Sequence, residues 1–208
     1  MKPLPRSFYQ RPTLSVARDL LGMFLCRKRG STILTGRIVE VEAYLARGDS
    51  ASHSFRGRTA RNDMMFRRGG LLYVYFTYGM HFCANVVTGN EGEGTAVLLR
   101  AVEPIKGLTV MRRDRLARHN RDWHIPPDHR LCSGPARLCE AFSISRIHNG
   151  TDLCGSSIWI GEDPLHASPL PALMTPRIGI TKERDAPWRF AVPGHPSVSG
   201  RKQDASGE

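Results

Sequence analysis

A chain of 208 residues with 40% hydrophobic content has the apolar mass for one core, so a single domain is expected over residues 1–200, with residues 201–208 as a frayed tail. Thirty basic residues against 19 acidic give a formal charge of +11, and only five of the 30 are lysines, leaving 25 arginines; that balance points to a polyanion, and without an apolar run long enough to span a bilayer it favours nucleic acid over membrane. Five cysteines with no Cys-x-x-Cys pair exclude a disulfide framework and a zinc ribbon, and "MKPLPRSFYQRP" offers no apolar signal region, so an intracellular protein is expected.

Taken in chain order, "TLSVARDLLG" predicts a first helix, with Thr13 as N-cap, Leu14, Ala17, Leu20 and Leu21 on one face, and Gly22 as the stop. "MFLCRKRGSTILTGRIVEVEAYL" reads as two strands joined by a turn at Lys28 to Ser31, the second long and rich in β-branched residues. Irregular chain is expected over "RGDSASHSFRGRTARNDMMFRRGG"; a loop of that length inside a domain tends to be functional or disordered. Strands follow at Leu71 to about Thr77 and at "GTAVLLRAVEP", then a polar helix over Leu108 to Ala117. Residues 118–130 are again irregular, "SGPARLCEAF" predicts a helix with Ser133 as N-cap and Leu138, Ala141 and Phe142 buried, and "SSIWIG" and "PRIGI" predict short strands. Hairpin-length connections and mixed elements predict an α+β fold: one compact domain with a bent, largely antiparallel sheet flanked by helices. No glycine-rich phosphate loop follows a strand, which sets nucleotide-cofactor enzymes aside.

"GRIVEVEAYL" puts Glu40 and Glu42 two apart on a predicted strand, hence on one face, with Tyr44 next along it. Two readings stay open. Either the acids lie on a solvated edge, each near an arginine, or one faces a cleft as a general base whose apolar neighbours tune it. His53 alone reads as a polar loop residue. His119, His124 and His129 recur every five residues, which is not helical metal spacing, so no metal site is expected. No serine sits in a nucleophile elbow. "GLLYVYFTYGMHF" raises a different difficulty: Tyr75 and Tyr78 are three apart, so one regular strand would send them to opposite faces.

In order along the chain, "GRIVEVEAYL", "HS", "RND", "LYVYFTYGMHFCAN", "AVLLRAVEP" and "LCSGPARL" resemble the alkyladenine (3-methyladenine, or N-methylpurine) DNA glycosylase family, from about Leu14 to Leu138 and again at "PRIGI" and "WRFAVPGHPSVS". The resemblance implies an enzyme that flips alkylated or deaminated purines out of double-stranded DNA and hydrolyses the bond between base and deoxyribose, needing no cofactor or metal and working as a monomer. It implies Glu42 as the residue activating the water, with Arg100 holding that water and the neighbouring phosphate. Tyr44, His53 and Tyr75 then bracket the extruded base, Asn85 crowds the purine's minor-groove edge, Leu98 lies two residues before Arg100 on the same strand face, and Tyr78 wedges into the duplex. Glu40 receives no role, nor do residues 86–95 and 115–130. With Tyr75 in the pocket and Tyr78 on a turn permitted by Gly79, the tyrosine spacing makes sense. None of the five lysines falls in these motifs, which argues against a Schiff-base lyase.

Two other classes compete. A non-catalytic nucleic-acid module using an aromatic stacking platform accounts for charge and tyrosines but not for Glu42 among them. A small-molecule enzyme such as a formyl-transfer domain lacks any folate or nucleotide signature.

Overall fold

The stretch "TILTGRIVEVEAY", rich in β-branched residues, becomes the longest strand, and the rest of the sheet is built around it. In the computed structural model, which describes residues 1–77, 79–119, 124–162 and 170–200, β2 (Thr32–Tyr44) pairs with β1 (Phe24–Arg29) along its first half and with β5 (Thr95–Lys106) from Thr35 to Tyr44. β3 (Leu72–Thr77) and β4 (His81–Thr88) form a hairpin beside β5, and β6 (Ile158–Gly161) closes the other edge beyond β1. The strand order is β3-β4-β5-β2-β1-β6, with β7 (Leu173–Thr175) joined to β8 (Arg189–Ala191) and β8 joined to β2 at Glu40–Glu42. Every pairing is antiparallel, and the α+β architecture with a bent sheet is the one expected from the sequence. Register shifts between β2 and β5 fall at Thr35/Gly36 and on either side of Glu40. Such irregularities bend a strand and raise its local twist, which here curls the sheet around the two glutamates.

The helices cover the apolar side. α1 (Arg6–Tyr9), α2 (Thr13–Asp19), α3 (Leu108–Leu116) and α4 (Pro135–Ala141) contribute Tyr9, Val16, Ala17, Met111 and Leu138 to a core they share with Leu34, Ile38, Val41, Leu72, Val86 and Leu99 of the sheet. Val41 thus faces the core while its neighbours Glu40 and Glu42 face the other way, as strand alternation requires.

Several sequence expectations need correction. Thr13 is the first helical residue, not the cap, which is Pro12; its hydroxyl lies 3.0 Å from that of Thr88 on β4 and so serves tertiary pairing. The cap of α4 is Gly134, at φ 111°, where a side chain would be strained, and Ser133 stands just outside the helix. "PRIGI" is not a strand: Gly179 turns the chain at φ 77°, and the strand in this region is Leu173–Thr175. His81–Thr88 is a strand the sequence reading passed over, because its Cys, Asn and Gly-adjacent residues show no clean alternation; pairing with neighbours on both sides makes it one. The expected tail at 201–208 lies outside the described residues.

Candidate active site

Above the polar face of the sheet lies a cleft of about 610 Å³, lined by Tyr44, Tyr73, Tyr75, Asn85, Leu98 and Arg100 from the strands and by Ser50, Ala51, His53 and Ile178 to Lys182 from two loops. The volume is that of a small-molecule or single-base site. Register explains which strand residues meet there: Glu42 pairs with Leu98, Leu98 with Asn85, and Asn85 with Tyr73, so one row crosses four strands. Alternate residues on each strand then share the cleft face.

Both glutamates are fully buried at 0% exposure, which removes the reading of a solvated edge but keeps its arginine. Arg100 joins them, its Nε donating to Glu40 Oε1 at 2.9 Å and its Nη1 lying 3.2 Å from Glu42 Oε1. Burial works against the Arg100 charge, but Glu42 and then Glu40 outweigh it and raise its pKa above the ordinary value. Their surroundings separate the two acids. Glu40 also accepts from Arg189 Nε at 2.7 Å and from the Ser199 amide at 2.6 Å, so it anchors β8 and the chain after it. Glu42 accepts from the Ile178 amide at 2.7 Å and from the Tyr44 hydroxyl at 2.9 Å. Tyr44, Arg100 and Ile178 all line the cleft, so Glu42 lies one layer behind its wall. An ionised carboxylate has about four acceptor positions; on Glu42 two take hydrogen bonds and the Arg100 ion pair lies beside them.

Tyr44 remains a phenol, because burial and then the Glu42 charge push its pKa up. One face of its ring carries the Arg177 guanidinium at 4.5 Å, so only part of the ring is left to the cleft. Tyr75 is likewise held as a phenol, chiefly by burial, and its ring meets His53 edge-on with centroids 4.5 Å apart. Tyr73, to which sequence reasoning gave no role, is 1% exposed, stands 5.5 Å from Tyr75, and has its hydroxyl 3.2 Å from His53 Nδ1. Burial raises its pKa to about 12. His53 is exposed to solvent on its outer side, yet partial desolvation against these rings and then the Arg61 charge lower its pKa. Its loop is shaped by Asn62, whose side-chain amide donates to the His53 carbonyl at 2.8 Å and to the Gly57 carbonyl at 2.9 Å. Asn85 donates to the Tyr73 carbonyl at 3.2 Å, which fixes its amide on the cleft floor. Tyr78 lies outside the described residues; its neighbour Gly79 does turn the chain, at φ 68°.

The two loops are clamped together beneath the cleft. Arg177 donates from both terminal nitrogens to Asp49, at 2.8 and 2.7 Å, and both side chains are 0% exposed. At the mouth, Ser50 donates to Glu183 at 2.9 Å, and Glu183 adopts φ 49°, a left-handed conformation. Nothing in the sequence pairs Asp49 with Arg177, 128 positions away. Lys182 also lines the cleft, so the absence of lysine from the sequence motifs is no ground for keeping an amine out of it. Among the described residues no group of His, Cys, Asp and Glu is arranged to hold a metal ion, and no helix is long and apolar enough to cross a membrane.

A curled antiparallel sheet backing an aromatic cleft, with a donor-ringed carboxylate behind its wall and a strongly basic chain around it, defines an enzyme acting on the bases of a nucleic acid. The family model for methylpurine-DNA glycosylase matches residues 7–196. Three relatives, whose names assign them provisionally as 3-methyladenine DNA glycosylases, are similar over nearly all of both chains. The protein of Alkaliphilus oremlandii is 44% identical over 94% of this chain and 98% of its own. That of Burkholderia lata is 46% identical over 95% and 91%, and that of Methanoculleus marisnigri 46% over 95% and 99%. The chain belongs to the methylpurine-DNA glycosylase family. It is a DNA glycosylase, a hydrolase of base excision repair whose substrate is DNA.

Proposed function

We propose that this glycosylase flips alkylated or deaminated purines, of the 3-methyladenine, 7-methylguanine, hypoxanthine and ethenoadenine class, from duplex DNA into the cleft and releases them with a water activated by Glu42. The carrying observation is that Glu42 is buried at 0% exposure, yet its two hydrogen-bond donors, Tyr44 and the Ile178 amide, and its ion-pair partner Arg100 all belong to the cleft wall. Tyr44, Tyr75 and His53 bracket the base. Asn85 stands at the floor against the amine of normal guanine, and Leu98 fills the space beneath. As the bond between C1′ and the base nitrogen breaks, its electron pair leaves with the base and positive charge develops on the sugar. A bond forms from the water oxygen to C1′, the water's proton passes to Glu42, and the carboxylate stabilises the charge before taking it. Arg100, held by both glutamates, sits where it can orient that water and a flanking phosphate. Tyr78, which falls between β3 and β4 in the sequence, is the residue assigned to fill the gap in the stack.

Incubation with a duplex holding one hypoxanthine or ethenoadenine, then alkali, is expected to break the damaged strand at that position. Borohydride added during the reaction is expected to trap no covalent adduct, since the nucleophile is water and not Lys182. Absence of alkali-labile breaks on every damaged duplex would overturn the proposal. An adduct would overturn the water nucleophile alone.

A further inference from the structure

A second basic feature lies away from the base cleft. Near the β1–β2 turn, Arg27, Lys28, Arg29 and Arg113 line a cleft of about 460 Å³. From Thr32 to Glu42 the chain runs ten residues of strand, at most ~33 Å, so this cleft is toward the opposite end of β2 from Glu42. Asp114 meets Arg29 at 3.0 Å and Arg113 at 3.1 Å, one carboxylate against four cations. Arg27 is 6% exposed and forms no ion pair among the described residues; it donates to the Phe142 carbonyl and meets His148 Nε2 at 2.9 Å. Burial, reinforced by the Arg29 charge and only partly opposed by the Asp114 carboxylate, lowers its pKa to about 10.

α3 connects this cleft to the β3–β4 turn. Val110 and Arg113 on the helix line the basic cleft, while Arg118 just past its end shares a second cleft with Met80 and His81. Nine helical residues span ~13 Å, about four base steps along a duplex. We infer that the ridge from Arg118, along α3 to Arg113 and on to Lys28 at the β1–β2 turn, with the buried Arg27 adding charge behind it, is a track for the phosphodiester backbone of duplex DNA flanking the damaged nucleotide. The track extends the interface beyond the base cleft, and it rests on the reading that the substrate is duplex DNA. Its work is holding and scanning undamaged DNA, not chemistry.

The test uses the full chain with Lys28→Ala, Arg113→Ala and Arg118→Ala combined, and an undamaged duplex of about 30 base pairs. Each lost phosphate contact is expected to flatten the slope of log affinity against log salt by ~0.9, so the triple variant loses roughly two to three units. Single-turnover excision at saturating enzyme is expected to stay within about twofold. Lys28→Arg, Arg113→Lys and Arg118→Lys together are expected to restore the slope. A control removing the exposed charges of Lys2 and Arg18 is expected to leave it unchanged. An unchanged slope in the triple variant, or an equal loss per charge in the control, overturns the track. Because binding to undamaged DNA does not involve Glu42, this failure and failure of the proposed chemistry are told apart.

Discussion

The cleft over Glu42 has two walls built on different principles. One is sheet: Tyr73, Tyr75, Asn85 and Leu98 project from β3, β4 and β5, whose ladders fix each side chain through a row of pairings. The other is loop: Ser50 to His53 and Ile178 to Lys182 have no ladder, and a dry Asp49–Arg177 pair with the Asn62 bonds takes its place. A ladder spreads positioning over many weak bonds, whereas a clamp concentrates it in two side chains. The loop wall is therefore the more fragile and the more adaptable, which fits the proposal that a flipped base enters and leaves on that side. Glu42 belongs to both walls, since β2 carries it and the Ile178 amide of the loop wall donates to it.

Replacing Glu42 by Gln tests that seam and is expected to have the largest effect. The amide keeps the shape but cannot take the water's proton, so single-turnover excision is expected to fall about 10²- to 10⁴-fold. Affinity for a damaged duplex is expected to hold, because the amide oxygen can still face the Ile178 amide and Arg100 while the amide nitrogen donates to the Tyr44 hydroxyl, which keeps both walls in place. Rapid excision by the variant would remove Glu42 from the chemistry.

Asp49→Ala breaks the loop wall alone. Removing one partner of a buried pair leaves an uncompensated charge, here Arg177, at a cost of ~3–5 kcal/mol. A lowered melting temperature is expected, with a higher KM for damaged duplex at temperatures where the variant stays folded. Asp49→Leu with Arg177→Met, which removes both charges, is expected to recover much of the stability but not the KM, since the cation over Tyr44 is gone too. If the single variant melts like the wild type, the clamp is not what holds the loops.

The sheet wall is probed by Tyr75. Loss of one stacking ring costs ~1–3 kcal/mol of base binding, so Tyr75→Ala is expected to weaken the flipped state by about one to two orders of magnitude. Tyr75→Phe keeps the ring and is expected to change little. Fluorescence of an ethenoadenine duplex reads the difference, and equal traces for the two variants would show that the ring does not touch the base.

How far each wall was legible in the sequence follows from how it is made. The alternation around Glu40 and Glu42 announced β2 and a shared face, and the resemblance supplied the expected site residues, because strand periodicity and short motifs are local. Tyr73 escaped because its place depends on the His53 loop folding back over β3. The Asp49–Arg177 clamp and the Ile178 amide escaped because they join segments more than 120 positions apart. "PRIGI" looked like a strand on its β-branched residues, yet one of its amides is committed to a carboxylate and Gly179 turns the chain. Glu40 could receive no role from sequence because its partners, Arg189 and the Ser199 amide, arrive from the far end of the chain.

His53 gives the smallest expected effect and the finest comparison of the walls, since it stands on the loop but packs against the sheet tyrosines. Burial, then the Arg61 charge, lowers its pKa, so the folded protein takes up this proton at a lower pH than the unfolded chain, which titrates near ~6.5. Above that pH the difference contributes its full stability; as pH falls below it, the unfolded state binds more protons and stability declines. His148, lowered by burial and then by the Arg27 charge, declines in the same window, so His53→Gln is expected to remove only part of the slope. Function separates the two histidines. A protonated His53 puts positive charge against the base, which disfavours a cationic lesion such as 7-methylguanine more than neutral hypoxanthine. The ratio of the 7-methylguanine to the hypoxanthine single-turnover excision rate is expected to fall in the wild type and in His148→Gln only as pH drops through the lowered pKa of folded His53, beneath the ordinary ~6.5, and to stay flat in His53→Gln. A wild-type ratio that does not move with pH would take His53 out of contact with the base and leave the loop wall as a frame around a pocket the sheet alone defines.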